Sequence, residues 1–216
     1  MTGLLVTFEG PEGAGKTTQI QLLAGYLAQQ SLPVEVVREP GGTSLGEKIR
    51  DLLLEPGQEI CPGAEVYLYA AARAQLVANV IKPLLDKGKI VLCDRFVDAS
   101  IAYQGWGRGL EPQGVRDANA LALDGTWPDL TVLLDIAPEE GIRRVMDRRA
   151  GLDRIEQEDL SFHQAVRRGY IELAVDEPAR FLVVDAAMPR KEVSQHIFTR
   201  TAALLAEKGF ELRSEV

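Results

Sequence analysis

Residues 10–17 read Gly-Pro-Glu-Gly-Ala-Gly-Lys-Thr and match the pattern G-x-x-x-x-G-K-[ST]. An apolar run at 4–8 precedes this loop, and a helical pattern at 16–30 follows it. The glycines of such a loop let successive backbone N–H groups converge on phosphate oxygens, and the helix N-terminus adds a partial positive charge. Random order of the same residues would give roughly 0.004 matches in this chain. The stretch therefore predicts a strand, a phosphate-binding loop and a helix.

The loop chemistry predicts a nucleoside triphosphate. Lys16 is expected to reach the β- and γ-phosphates, while the hydroxyl of Thr17 coordinates Mg²⁺. The other residues expected around the triphosphate are Gly10, Pro11, Glu12, Gly13, Ala14, Gly15 and Thr18.

Outside the loop, apolar runs alternate with helical patterns along the whole chain. The runs lie at 34–37, 89–94, 130–135 and 180–184, and the helical patterns at 44–54, 64–86 (with a kink at Pro83), 112–124, 138–149, 159–176 and 189–208. Continuous apolar strands separated by helices predict a parallel sheet covered on both faces. The expected fold is a doubly wound, five-stranded α/β domain of the P-loop NTPase type that spans 1–216. Its ligands should lie at the carboxyl ends of the strands.

Composition excludes several classes of protein. The 216 residues carry a formal net charge of −8, which argues against coating of nucleic acid polymers. Two cysteines in no C-x-x-C arrangement and two histidines are too few for a zinc site. No apolar run reaches the ~18 residues of a membrane span, and no secretory signal pattern is present. We therefore expect a cytoplasmic protein that neither coats nucleic acid nor spans a membrane.

Among NTPase classes, a small kinase agrees best with the sequence. Guanine-specific switches usually carry N-K-x-D, whereas Asn79 and Asn119 begin N-V-I-K and N-A-L-A. A small kinase needs a second anion site and a mobile cationic lid, and 17 Arg against 7 Lys favours bidentate phosphate recognition. Five arginines lie close together, which predicts a lid at about 143–157 or, alternatively, a solvated helix face with i,i+4 pairs. They are Arg143, Arg144, Arg148, Arg149 and Arg154.

Six segments resemble the thymidylate kinases, which make dTDP from dTMP, and they occur in the order of that family. They are F-E-G-P-E-G-A-G-K-T at 8–17, R-E-P-G-G-T at 38–43, A-A-R-A-Q at 71–75, D-R-F at 94–96, A-Y-Q-G at 102–105 and L-D-R-I-E-Q-E at 152–158. The resemblance implies transfer of a phosphoryl group from Mg-ATP to dTMP by a homodimer that packs through helices such as 64–86.

The resemblance also implies roles for individual residues. Arg95 and Arg50 would hold the 5′-phosphate of dTMP, and Tyr69, where the family usually carries phenylalanine, would stack on thymine. Arg73 would bind the base edge and Tyr103 would crowd the 2′ position of the sugar. Further acceptor-site residues would be Glu12, Arg38, Pro40, Ser100 and Gln104, and Arg144 would contact ATP.

Several assignments stay open at this point. Asp94 and Asp135 both end apolar strands, and the resemblance favours Asp94 beside Thr17 on the Mg²⁺ side. Gly13 stands where some family members carry a loop arginine, so the resemblance is to the bacterial type with lid arginines. Arg148, Arg149 or Arg154 would then contact the transferring phosphoryl. Another nucleoside monophosphate or deoxynucleoside kinase is the first functional alternative, and a P-loop switch or regulatory ATPase is the second.

Overall fold

Five parallel strands form a single sheet in the computed structural model, which describes residues 3–147 and 151–211. They are β1 (Leu4–Glu9), β2 (Val34–Arg38), β3 (Ile90–Asp94), β4 (Leu130–Asp135) and β5 (Phe181–Asp185), in the order β2-β3-β1-β4-β5. Each boundary lies within one residue of its prediction. The phosphate-binding loop follows the central strand β1, so strands on both sides can bring side chains to it.

Helices cover both faces of this sheet. In the described residues they are α1 (Lys16–Gln29), α2 (Ser44–Leu54), α3 (Pro62–Leu76), α4 (Lys82–Asp86), α5 (Val97–Ser100), α6 (Pro112–Leu123), α7 (Pro138–Met146), α8 (Leu160–Asp176) and α9 (Arg190–Glu207). One core cluster packs side chains of α1 and α9 on one face, and another packs α3, α6 and α8 on the other. This two-sided burial explains why the strands are continuously apolar.

The long helix expected over 64–86 differs in detail from the structure. A π-helical turn, Val77–Ile81, separates α3 from α4. Pro83 lies just beyond this turn, and proline has no backbone N–H for a regular helical hydrogen bond. The predicted helical course over 64–86 is confirmed, and the regular hydrogen-bond pattern changes at the π-helical turn just before the proline.

One helical segment has no counterpart among the sequence predictions. Helix α5 continues into the π-helical stretch Ile101–Gly107, which packs against α8. A Cβ on Gly107 would lie 2.7 Å from Cε2 of Phe162, so a larger residue here would force the Phe162 ring to move. Helix α5 brings Ser100 to the site, and the π-helical stretch brings Tyr103 and Gln104.

The carboxyl ends of β1, β2 and β3 meet at one edge of the sheet. The parallel register aligns Phe8 with Asp94, and Asp94 with Arg38. A cavity of about 1080 Å³ opens at this edge, as expected for a doubly wound sheet.

Candidate active site

The phosphate loop connects β1 to α1. Gly13 has a φ of +71°, and a Cβ there would lie 2.2 Å from the carbonyl oxygen of Gly141, so the loop requires glycine at this position. Lys16 donates from Nζ to the carbonyl oxygens of Gly10 and Pro11, each at 3.0 Å. Burial, with the nearby charge of Arg95, lowers the pKa of Lys16 to about 8. An ammonium group thus lies in a loop whose partners are neutral carbonyls.

The two candidate Mg²⁺-side aspartates lie in different surroundings. Thr17 Oγ1 donates to Asp94 Oδ2 at 2.9 Å. Asp135 instead accepts two hydrogen bonds of 2.7 Å from Arg167. The oxygens of Thr17 and Asp94 are the type of donor that Mg²⁺ prefers. The described chain has no group of three or more His, Cys, Asp or Glu that could hold a metal ion, and Mg²⁺ commonly takes its other ligands from water and phosphate.

Arg95 links the loop to the acceptor side. Its Nη2 donates to Glu12 Oε1 at 2.5 Å, and its Nη1 donates to Gly10 O at 3.1 Å and to the hydroxyl of Tyr170 at 3.2 Å. Tyr103 donates its hydroxyl to the same Glu12 oxygen at 2.9 Å, and its ring centroid lies 4.8 Å from Cζ of Arg95. Burial alone would raise the pKa of Glu12, but Arg95 and Lys16 hold it at about 2. The carboxylate is therefore charged at neutral pH.

Arg73 is almost fully buried beside the acceptor cavity. Its Nε and Nη2 donate to Glu39 Oε2 at 2.9 and 2.6 Å, and Nη2 also donates to the carbonyl of Phe96. Its Nη1 donates to Ser100 Oγ at 3.1 Å and to Asn119 Oδ1. These bonds occupy the guanidinium's donors within the protein, so its contact with a base edge stays a prediction.

Gln104 belongs to a second buried cluster. Its Nε2 donates to Glu65 Oε1 at 2.8 Å. Glu65, which is fully buried, also accepts hydrogen bonds from Arg108 and from Arg154 Nη2, the latter at 2.6 Å. Arg154 donates from Nε to Leu53 O at 2.7 Å, and it lines a second cavity of about 570 Å³ rather than the one that Lys16 lines. The predicted contact of Arg154 with the transferring phosphoryl therefore stays a prediction, since its guanidinium bonds to Leu53 O and Glu65 in this structure.

The remaining predicted residues lie around the main cavity. Arg50 donates to Pro40 O at 3.0 Å, and the Glu39–Pro40 peptide bond is cis. Arg38 pairs with Glu47 at 2.8 Å, and Arg144 donates to Glu140 and to Ala186 O. The predicted site residues that line the cavity are Glu12, Gly13, Gly15, Lys16, Thr17, Thr18, Arg38, Pro40, Arg50, Tyr69, Arg73, Asp94, Arg95, Ser100, Tyr103, Gln104 and Arg144.

Four predicted residues do not line this cavity, and two lie outside the described residues. Gly10, Pro11, Ala14 and Arg154 are the four, and Arg148 and Arg149 are the two. Four buried or half-buried residues around the site had no predicted role: Glu9, Glu65, Arg108 and Asn119. Glu65 and Asn119 bond directly to the predicted residues Gln104 and Arg73, whereas Arg108 bonds to Glu65 and Glu9 to Tyr170. Only Glu9 and Asn119 stood within stretches that the sequence analysis quoted, and neither carried a signal of its role.

The phosphate loop lies at the carboxyl edge of a parallel sheet, and arginines line the other half of the same cavity. These features define a P-loop nucleotide-binding domain. A sequence model described as thymidylate kinase matches residues 8–197, nearly the full chain. This chain belongs to the thymidylate kinase family, as its motifs predicted.

Individual relatives agree with this assignment over nearly their full lengths. The thymidylate kinase of Deinococcus radiodurans is 49% identical over 207 residues, which cover 96% of this chain and 98% of that one. That of Geotalea uraniireducens is 48% identical, over 95% and 99% of the two chains. The crystal structure of thymidylate kinase from Ehrlichia chaffeensis superposes with a TM-score of 0.76 at 33% identity, covering 94% of this chain and 99% of that one. The P-loop kinase fold is thus confirmed. Among the described helices, none is both long and apolar enough to cross a membrane.

Proposed function

We propose that this protein is a dTMP kinase, which transfers the γ-phosphoryl group of Mg-ATP to the 5′-phosphate of dTMP and releases dTDP and ADP. Its membership of the family supports the reaction class. The observation that carries the proposal is a single cavity in which the phosphate loop faces Arg95, Arg50 and Tyr69. This gives one cationic end for each of two anionic substrates.

The chemistry requires charge compensation more than proton transfer. A phosphomonoester has a second pKa near 6, so the acceptor is mostly dianionic at pH 7 and needs no strong general base. Lys16 would stabilise the β- and γ-phosphates, while Arg50 and Arg95 hold the acceptor oxygen in line. Ion pairing of Arg95 with Glu12 supports this role, because the pair pre-orients the guanidinium at the loop. An incoming phosphate would compete with that carboxylate for the same N–H groups.

The magnesium ion is part of the proposal, and its candidate ligands agree with it. Thr17 and Asp94, which are hydrogen-bonded to each other, would hold the ion. When bound, it would neutralise charge on the phosphate oxygens. Asp135 is already occupied by Arg167, which supports Asp94 as the residue on this side.

The lid and its arginines complete the donor side. Arg148 and Arg149 are the lid candidates beyond the described ranges, and Arg154 is the third. Arg144, which lines the cavity and donates to Ala186 O, would contact ATP, and residues 185–189, which follow β5, would form the rim around adenine. A lid that closes over the phosphates would exclude water and limit hydrolysis of ATP.

We further propose a cytoplasmic homodimer. Helices α3 and α6 pack against each other, and each carries a large exposed apolar side chain. Tyr67 on α3 is 68% exposed and Leu121 on α6 is 90% exposed. Both side chains would be covered if two copies packed through α3 and α6.

A panel of acceptors tests the function directly. Purified protein with Mg-ATP should phosphorylate dTMP with a higher kcat/KM than dUMP, dCMP or AMP, measured by coupled ADP release. Reactions without acceptor should release ADP at a small fraction of that rate. Preference for another monophosphate would favour a different nucleoside monophosphate kinase. Equal ADP release without any acceptor would favour a regulatory ATPase.

A further inference from the structure

The amide oxygen of Gln104 is a buried acceptor at the edge of the cavity. Gln104 is 1% exposed and lines the cavity together with Tyr69 and Arg73. Within the described part of the chain, Oε1 has no hydrogen-bond partner, whereas Nε2 is bonded to Glu65. A buried polar atom without a partner is costly, so such an atom at a cavity marks a place where a ligand donor can bind.

Glu65 determines which end of this amide faces the cavity. An ionised carboxylate only accepts hydrogen bonds, so the NH₂ end of Gln104 must face it and the oxygen must point elsewhere. Glu65 is itself held by Arg154 at 2.6 Å and by Arg108 at 3.2 Å. Both arginines can only donate hydrogen bonds, so Glu65 is the acceptor toward Arg108, Arg154 and Gln104 alike.

We propose that Glu65 is a positioning residue for base selection, which acts by fixing the Gln104 amide so that its oxygen accepts the N3–H of a thymine-type base. This inference rests on the proposed dTMP site. Glu65 does not contact the substrate, since Gln104 lies between them. Arg108 and Arg154 extend the same role by keeping Glu65 in place.

The arrangement selects against bases that carry an acceptor at N3. Thymine has a donor at N3, whereas cytosine has a lone pair there. An amide oxygen facing that lone pair forms no hydrogen bond and is left buried without a partner, which lowers transition-state binding. The matched probe is 5-methyl-dCMP. It keeps the methyl group of thymine but carries a lone pair at N3 in place of the N–H, and an amino group at C4 in place of the carbonyl.

The variant Glu65→Gln places a hydrogen-bond donor next to Gln104, where the wild type has only acceptors. Its amide can donate to Gln104 while its oxygen accepts from the arginines, which allows the Gln104 amide to turn its NH₂ group toward the base. The ratio of kcat/KM for dTMP to that for 5-methyl-dCMP should fall about 5- to 10-fold, the value of one hydrogen bond.

The matched control is Glu158→Gln. Glu158 accepts from Arg108 Nη1 at 2.6 Å, so this variant removes a charge from the same arginine without changing the group that faces Gln104. Its substrate ratio should equal that of the wild type. An unchanged ratio in Glu65→Gln, or an equal fall in both variants, would overturn the proposal.

A second measurement covers the case in which Glu65→Gln does not fold. In the wild-type protein the Gln104 side-chain amide proton that is bonded to Glu65, assigned with a Gln104→Met variant, should exchange with solvent slowly. Fast exchange would contradict the proposed orientation. A wild type that does not phosphorylate dTMP would refute the proposed function, whereas the exchange measurement would still report the position of the amide.

Discussion

The two ends of the cavity hold their cations in different ways. Lys16, at the phosphate loop, bonds to carbonyl oxygens only five and six residues away. Arg73, at the base end, bonds to Glu39, Ser100 and Asn119, which are 27 to 46 residues away. Neutral partners leave the positive charge of Lys16 available to a phosphate, whereas the carboxylate of Glu39 compensates that of Arg73. The loop end can therefore stabilise changing charge, and the base end can hold a fixed pattern of donors and acceptors.

The largest expected effect is at the loop end. Lys16→Ala should lower kcat by at least about 10³-fold, since a preorganised cation at the transferring phosphoryl is worth that much. The fold should persist, because Lys16 bonds only to carbonyls within its own loop. Steady-state kinetics with dTMP and Mg-ATP measure the loss, and circular dichroism with thermal unfolding checks the fold. The control Lys191→Ala, at an exposed lysine, should keep wild-type rates; substantial turnover by Lys16→Ala would remove the loop assignment.

The two strand-end aspartates provide the next comparison. Asp94→Asn keeps an oxygen for Thr17 but loses the charge, so the Mg²⁺ concentration for half-maximal activity should rise on the order of 10²-fold. Asp135→Asn should leave this concentration unchanged, because the carboxylate of Asp135 is engaged by Arg167. Magnesium titrations of both variants measure the difference. If the Mg²⁺ concentration for half-maximal activity rose more in Asp135→Asn than in Asp94→Asn, Asp135 would be the aspartate on the Mg²⁺ side.

Arg95 lies between the two ends and should affect one substrate more than the other. Arg95→Ala should raise the KM for dTMP about 10- to 100-fold, the range for losing charge-assisted hydrogen bonds, and change the KM for ATP little. Arg116→Ala is the control, because Arg116 pairs with Glu177 at 3.1 Å and lies outside the cavity lining. Equal changes in both Michaelis constants would move Arg95 out of the acceptor site.

The difference between contacts to chain neighbours at the loop end and contacts to distant residues at the base end also explains what could be predicted from sequence. The five strands were predicted to within one residue because burial on both faces makes each strand a continuous apolar run. The phosphate loop was predicted because its chemistry depends on residues that are neighbours in the chain. Both signals are local.

The features that were missed depend on contacts between distant segments. Glu65 is 39 residues from Gln104 and 89 from Arg154, and no local pattern announces that they meet. The segment 97–107 contains Gly105 and Gly107, which disfavour a helix by intrinsic propensity, yet packing against α8 stabilises it. In each case tertiary contacts decide the outcome.

Glu9 provides the smallest predicted effect and is the last residue of β1, directly before the phosphate loop. Its Oε1 accepts the N–H of Phe96 at 2.7 Å, and its Oε2 accepts the hydroxyl of Tyr170 at 2.8 Å. Burial, reinforced by Asp98, raises the pKa of Glu9 from 4.5 to about 8. Between those pH values the folded protein retains a proton that the unfolded chain releases, so the stability contributed by this group is lost as pH rises from 4.5 through 8.

Glu9→Gln removes this titration while keeping an oxygen for Phe96. The free energy of unfolding of the wild type should fall more steeply than that of Glu9→Gln between pH 5.5 and 8.5, by about 1–3 kcal/mol at the upper end. Urea unfolding across that range measures the two slopes, with Glu192→Gln, at an exposed glutamate, expected to match the wild type. Parallel slopes for wild type and Glu9→Gln would mean that the charged carboxylate of Glu9 is already compensated in the folded protein. In that case Glu9 would resemble Glu39 at the base end, whose charge Arg73 compensates, and would differ from the loop end, where the partners of Lys16 are neutral carbonyls.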